Sequence, residues 1–384
     1  MRFIHTSDWH LGRLFHGRHL TDDQSYILEQ FHDVIKETKP DALIIAGDIY
    51  DRSVPPTEAV ELLDDTLAKI LLDAKVPVMM IAGNHDSPER IGFGSKLLAG
   101  QGLHVTGTLE KMLQPVVLED DYGKVYFMPF TYAEPALVRH VFAKSNLENH
   151  DVAMEFLIRQ SLKHIPENAR KVAIAHTFIA GGLESESERP LSVGGTSQVR
   201  SSLFAPFHYT ALGHLHNSQR AGSEKIRYSG SLLKYSFDEA NQKKGLNLVE
   251  LDKDGTIKIE MISLTPKHDV RVVEGYFKDI LVNREVYPVS EDYVSVKLLD
   301  TMPILDVHGQ LEKVYQNLLQ IERPNLMVDG KLQKPNGDHR KMSETELFDS
   351  FFEQMTGEHL TEVQRKVFHE HLDALFQAER EVKA

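Results

Sequence analysis

The sequence has no cysteine among its 384 residues. That excludes disulfides and thiolate metal sites and fits a reducing compartment. It also has no apolar run approaching the ~20 residues that a membrane-spanning helix requires. Met1-Arg2-Phe3-Ile4-His5 carries no charged segment leading into an apolar one of the secretory kind. These absences predict a cytoplasmic protein with no membrane partner. Positive charge is short as well: 43 lysines and arginines face 57 aspartates and glutamates, a formal net charge of -14. Basic faces supply most non-specific affinity for nucleic acid. A nucleic-acid substrate would therefore need local basic patches, bound metals or a partner. Tryptophan occurs once, at Trp9, where packing is its expected role.

What is present is a repeated device. The apolar run Ala42 to Ala46 reads as a fully buried strand, and it ends at Gly47-Asp48. Phe3-Ile4 leads in the same way to Asp8-Trp9-His10, and Val78 to Ile81 leads to Gly83-Asn84-His85-Asp86. Val172 to Ala175 leads to His176, and Thr210 to Leu212 leads to Gly213-His214-Leu215-His216. Five strand ends thus converge on one rim with Asp, Asn and His.

Two divalent cations held close together need oxygen and imidazole ligands, a bridging carboxylate and open positions for substrate. Asp8 and His10 lie two apart and share a direction on an extended segment, as do His214 and His216. With Asp48 bridging, one ion would take Asp8, His10 and His216, and the other Asn84, His176 and His214. His85 points away from Asn84 on an extended chain, which suits it to the substrate rather than to a metal. There it would donate a proton to a leaving oxygen, with Asp86 or another carboxylate orienting it. The chemistry expected is in-line attack on phosphorus, with both metals stabilising charge. A small-molecule phosphodiesterase or phosphatase with the same site is the competing reading.

Residues 1–265 alternate strands and helices. Asp22–Lys39 is a predicted helix ended by Pro40, and Thr57 is expected to cap a second one. Glu184 to Ser202 is the longest loop, of a length that is usually functional or mobile. Residues 266–334 form a small α+β unit with a helix expected around Leu311 to Leu319. Residues 335–384 hold a polar linker and two terminal helices. The first starts at a capping box, Ser343 with Glu346, and aligns Leu347, Phe351, Phe352 and Met355. The second starts at Thr361 and aligns Val363, Val367, His371, Leu372 and Leu375. The aromatic stripe of Phe348, Phe351 and Phe352 suits a core face or, after such a linker, a partner-binding helix.

The strings Asp8-Trp9-His10-Leu11-Gly12, Gly47-Asp48, Gly83-Asn84-His85-Asp86, His176 and Gly213-His214-Leu215-His216 resemble the calcineurin-like metallophosphoesterase superfamily. The longer strings His5 to Gly12, Gly47 to Arg52 and Tyr228-Ser229-Gly230-Ser231 narrow the resemblance to the nuclease subunits of bacterial SbcCD-type complexes. The resemblance implies an α/β fold. More closely, it implies a four-layer α/β/β/α sandwich with a small α+β capping domain and C-terminal helices. It implies two Mn2+, with Mg2+ as the alternative. The implied activities are 3′-to-5′ exonuclease on double-stranded DNA ends and endonuclease at hairpins and blocked ends, in DNA repair and recombination. It further implies a homodimer, with the helix holding Leu62 and Leu63 and the segment with Leu97 and Leu98 as candidate faces. The C-terminal helices would bind the SMC-like ATPase SbcC, whose surface would compensate for the acidic charge. Arg13, His16, Arg18 and Arg52 flank the metal motifs and are the candidate phosphate contacts. Asp51 stands where archaeal relatives carry a second catalytic histidine, and it is given no catalytic role.

Overall fold

The computed structural model describes residues 1–109, 113–188, 197–327, 348–349, 352, 359–368 and 371–372. The apolar runs before the motifs all become strands. β1 (Arg2–Thr6), β2 (Ala42–Ile45), β3 (Val78–Ile81) and β4 (Leu103–Thr106) lie side by side and parallel. A second sheet takes β5 (Val116–Asp120), β6 (Gly123–Phe130), β7 (Arg170–His176), β8 (Tyr209–Gly213), β9 (Gln219–Arg220) and β10 (Ile226–Tyr228) in the order β9-β10-β8-β7-β6-β5. The chain then returns as β11 (Gly245–Leu251) and β12 (Ile257–Ser263), completing the first sheet as β12-β11-β1-β2-β3-β4. β1, β2, β3, β7 and β8 each pair with parallel neighbours, so their C-terminal ends lie on common rims.

The alternation of side chains sorts each strand into two cores. Ala42 and Ile44 join Phe3, Met79 and Ile81 of the first sheet against Phe127, Val172, Ile174, Tyr209 and Ala211 of the second. This is the layer between the sheets. Leu43 and Ile45 are buried on the opposite face. The connections between these parallel strands carry the helices α1 (Thr21–Thr38) and α2 (Thr57–Ala68), which bury Ile27, Leu28, Phe31 and Ile35 and Ala59 and Leu63. The outer face of the second sheet sets Met128, Phe130, Ala173, Ala175 and Leu212 against Val138 of α3 (Pro135–Phe142) and Ala153, Met154, Leu157 and Ile158 of α4 (His150–Ser161). The result is an α/β/β/α sandwich.

Two expectations about local structure are corrected. Thr57 is the first residue of α2, not its cap. Pro56 takes the capping position in an extended conformation, which suits its fixed φ, and no side chain caps the end. Leu318 and Leu319 belong to a strand rather than a helix. The helix predicted there ends earlier, as Val307–Glu312, because the apolar pair is needed in a sheet.

Contacts divide the chain into a unit of Met1–Arg271 and a unit from Val272 onward. The second holds all but the first two residues of β13 (Val270–Gly275), with β14 (Tyr293–Leu298), β15 (Leu318–Glu322), α5 (Phe277–Val282) and α6 (Val307–Glu312). Its core is Phe277, Ile280, Val294, Val296, Leu311 and Tyr315. The linker, the capping box of Ser343 and Glu346, and Leu347, Phe351, Met355 and Leu375 lie outside the described residues. Val363 and Val367 are exposed. No helix of the described residues is long and apolar enough to cross a membrane.

Candidate metal centre

The loops that leave β1 and β2 are laced together by their backbones. The Asp8 amide donates to the Gly47 carbonyl (3.0 Å), His10 to Asp48 (3.0 Å) and Leu11 to Ile49 (2.9 Å). Both chains turn sharply to do this. Asp8, His10 and Asp48 take φ values of 54°, 46° and 50°, and His214 takes 109°. Four non-glycine residues of the site therefore sit in backbone conformations that cost of order 1–3 kcal/mol each, and the surrounding sheets hold them there. Gly47 makes a fifth left-handed turn at φ 90°, and a Cβ on it would lie 2.4 Å from His176 Nδ1. The same crowding holds at Gly83, where a Cβ would meet Asp48 Oδ1 at 2.1 Å.

All seven residues predicted as metal ligands are brought to one place. Asp8 accepts from the His214 amide (3.0 and 3.1 Å) and from the Ser7 hydroxyl (2.5 Å). Asp48 lies 3.4 Å from His176 Nε2 and 3.7 Å from His10 Nε2, so its carboxylate stands between the two halves of the set. Asn84 Oδ1 meets His176 Nε2 at 2.9 Å and His214 Nδ1 at 3.3 Å. His176 donates its Nδ1 hydrogen to the Ala46 carbonyl (2.9 Å), which turns Nε2 to the centre, where it offers a lone pair once the ring is neutral. Three tight groups of ligand atoms result: Asp8 with His10 and His216, Asp8 with Asp48 and His176, and His10 with Asp51 and His85.

The electrostatics are those of a buried acceptor set. Burial holds His10, His214 and His216 below the ordinary imidazole range, in the neutral form that binds metals. Burial also opposes charge on His176, but the Asp48 carboxylate beside it prevails and lifts its pKa to about 9. The desolvation of Asp48 is likewise overcome by His176, which pulls the carboxyl well below its usual value. Asp8 is pushed up to about 7 by burial, against the pull of His176. His10 Nε2 and His216 Nε2 face one another at 3.1 Å, and His10 Nδ1 and His214 Nε2 are buried with no hydrogen-bond partner. Convergent lone pairs, two buried carboxylates and orphaned ring nitrogens are a donor set that two divalent cations satisfy.

The chain is similar to known proteins along most of its length. Residues 1–216 match the calcineurin-like phosphoesterase model, and residues 266–356 match the type 5 capsule protein repressor C-terminal domain. The SbcD subunit of the nuclease SbcCD from Staphylococcus saprophyticus is 35% identical over 377 residues, 98% of this chain and 99% of that protein. Its counterpart from Staphylococcus epidermidis is 34% identical over 364 residues, 95% of this chain and 96% of its own. The chain belongs to the SbcD family. A looser likeness, TM-score 0.40 at 13% identity over 68% of this chain and 98% of the other, is to the crystal structure of TT1561 of Thermus thermophilus.

The residues beyond the ligand set fall out differently in this SbcD-family chain. His85 is half-buried, with its ring 4.7 Å from that of His10, and its Nδ1 donates to the Asp51 carbonyl (2.7 Å). Asp86 does not orient it. The Asp86 carboxylate accepts instead from the amides of Ile49 (3.1 Å), Tyr50 (3.0 Å) and Gly83 (2.9 Å), because three loop N–H groups have no other acceptor. Burial and the Asp48 charge lift its pKa to about 6. Arg13 is committed to Asp51 (2.8 Å) and lies over the Tyr235 ring (5.4 Å). His16 packs on Phe15 and Phe237, while Arg18 and Arg52 are exposed.

Four neighbours of the site carried no motif. Ser187 and Glu188 come from the long loop that was marked by its length alone, whereas Glu239 and Lys244 had no signal in the sequence. Leu63, taken as part of a dimer face, is 7% exposed and belongs to the core, while Leu97 is 84% exposed.

Proposed function

We propose that this chain is a two-metal nuclease subunit that hydrolyses DNA phosphodiesters. The substrates proposed are double-stranded ends, shortened 3′ to 5′, and hairpins or blocked ends. The observation that carries this is the convergence of Asp8, His10, Asp48, Asn84, His176, His214 and His216 on one centre, in a chain whose full-length relatives are named nuclease subunits. The proposed resident ions are manganese, with magnesium as the alternative. Asp8, His10 and His216 would hold one, Asn84, His176 and His214 the other, and Asp48 both. When bound, the cations polarise the phosphate and stabilise charge in the in-line transition state.

The chain supplies the rest. His85 gives its Nδ1 hydrogen to the Asp51 carbonyl, so it protonates the departing O3′ from Nε2 in the imidazolium form, which carries a second hydrogen there and returns to the neutral ring. Asp86 fixes the loops that carry Asp48 and Asn84. Asn84, being neutral, keeps the pocket less negative and so more hospitable to a phosphodiester. Arg18 and Arg52 are free to contact phosphates, His16 offers a ring edge, and Arg13 acts through its hold on Asp51. The protein is proposed to work in the cytoplasm as a homodimer through the exposed surface around Leu97. Its terminal segment would engage the SbcC ATPase, which would offset a chain charge of -14.

The test is cleavage of end-labelled double-stranded DNA by the purified chain with manganese and with magnesium, beside chromogenic phosphodiesters and phosphomonoesters. Metal-dependent shortening from 3′ ends that disappears in Asp48→Ala supports the reading. Hydrolysis of the small esters with DNA left intact, even after SbcC is added, overturns it in favour of a small-molecule phosphodiesterase.

A further inference from the structure

His216 is gripped more thoroughly than any other ligand, and by residues that lie far from the motifs. Its backbone amide donates to Glu188 Oε1 (2.5 Å), and its carbonyl accepts from Lys244 Nζ (2.7 Å). Its ring Nδ1 lies 2.6 Å from Ser187 Oγ and 3.3 Å from Glu239 Oε1. The Ser187 hydroxyl donates to Glu239 Oε1 and therefore has only its lone pairs to offer the ring. Nδ1 must then carry the hydrogen, and Nε2 is left as the lone pair facing Asp8 and His10. Glu239, fully buried, is balanced by Lys244 at 2.6 Å, and Lys244 also donates to Ser231 Oγ (2.9 Å) and Gln242 Oε1 (2.8 Å). Ser185 ties the loop down from its other end, donating its amide to Glu188 Oε2 (2.8 Å) and accepting from the Gln242 side chain (2.9 Å).

The contrast with His10 gives this network its meaning. His10 would bind the same ion, yet its Nδ1 is buried without a hydrogen-bond partner, and the nearest carboxylate, Asp51, is 3.8 Å away. Of the two imidazoles proposed for that ion, only His216 has its outer nitrogen held by hydrogen bonds. Outer partners of a ligating histidine fix its ring and raise its donor strength, and their loss costs roughly 10–100-fold in metal affinity.

We propose that Ser187, with Glu239 behind it, is a positioning residue that makes the affinity of the Asp8–His10–His216 metal position depend on the seating of the Ser185–Glu188 loop. The chain Nδ1–H to Ser187 to Glu239 runs from the loop to the turn Asp238–Asn241 that precedes β11, so undocking the loop leaves the ring's tautomer to the longer Glu239 contact (3.3 Å) alone. The Asn84–His176–His214 position does not share this dependence, because His176 is fixed independently by the Ala46 carbonyl. One ion is then held by the sheets alone and the other by sheets plus loop. The inference rests on the two-metal reading above.

The test is manganese titration by calorimetry of the full chain, with manganese electron paramagnetic resonance as a second readout. Wild type should bind two ions. Ser187→Ala should weaken one of them by about 10–100-fold, leave the other unchanged, and keep the wild-type circular dichroism spectrum and thermal midpoint in chelator. Ser187→Thr, which keeps the hydroxyl, should restore the lost affinity. Glu239→Gln risks the fold by leaving Lys244 buried without its counter-charge, so Glu239→Gln with Lys244→Met is the companion variant, and it should weaken the same ion. Unchanged affinities at both positions in Ser187→Ala, or equal weakening of both, would overturn the proposal. Failure of wild type to bind a second ion would instead overturn the two-metal reading.

Discussion

His85 and Asp86 are adjacent in sequence, yet their side chains do separate work, and substitution should separate them. His85→Ala removes a ring that hydrogen-bonds the Asp51 carbonyl and keeps the backbone amide that holds Asp48, so manganese affinity and stability should stay near wild type in calorimetry and denaturant titration. DNA cleavage at saturating metal should fall by about 10²-fold or more, the scale of a lost proton donor. Loss of a bound ion in that variant would mean that His85 is a ligand. Asp86→Ala leaves three loop amides without their acceptor. It should cost about 2–4 kcal/mol in urea unfolding of the chelated protein, since an orphaned buried donor costs roughly 1–3 kcal/mol and part of this is recovered by solvent. A loss of activity with unchanged stability would return Asp86 to the catalytic machinery. Sequence spacing placed both residues at the site, but it could not tell an acid from a clamp, because an Asp two residues before Pro88 also suits a turn. That distinction depends on which loop amides lack partners, which only the packed loops reveal.

At the scale of the elements, the site exists because strand ends approach within van der Waals distance of one another. Gly83 is where the loop after β3 passes the Asp48 carboxylate, and a Cβ there would lie 2.1 Å from Asp48 Oδ1 and 2.3 Å from its amide nitrogen. Gly83→Ala should therefore weaken manganese binding at both positions by roughly 10²-fold while keeping every ligand, as expected when one displaced carboxylate serves two ions. Wild-type titration curves would contradict the close approach. The strands and their motifs were legible because a short apolar run followed by Asp, Asn or His leaves few alternatives once it recurs five times. Helix α1 was legible from its periodicity, and Lys39, at φ 45°, ends it just before Pro40. Glu239 and Lys244 were not legible. A Glu and a Lys five apart in a polar stretch read as solvated charges, and only the return of β11 beside β1 buries them against His216.

Across the whole molecule, protons and metals compete for one buried acceptor set. In the metal-free protein His176 has its pKa raised to about 9, because the Asp48 carboxylate outweighs the cost of burial, and Glu188 is raised by its own burial to about 8. Between pH 7 and 9 the folded state then binds more protons than the unfolded chain, whose histidines and carboxylates are already deprotonated. Stability must fall as pH rises through that window. Metal binding requires neutral His176 and ionised carboxylates, so affinity should rise over the same interval with release of protons. Thermal midpoints in chelator should drop from pH 7 to 9, and the gap between the metal-loaded and chelated midpoints should widen. A gap that narrows towards pH 9 would contradict the account. The acidic balance of the chain, which argued against DNA binding when read as composition, has a local component here. Asp8, Asp48, Glu188 and Glu239 are buried or half-buried at the site, where the cations and Lys244 balance them.

The central claim is that this set of residues holds two cations with Asp48 between them. An anomalous difference map from crystals soaked in manganese tests it most directly. The account predicts two peaks about 3.5–4 Å apart, one bounded by Asp8, His10 and His216, the other by Asn84, His176 and His214, with an Asp48 carboxylate reaching both. A single peak at full manganese occupancy, or a pair away from Asp48, would contradict it.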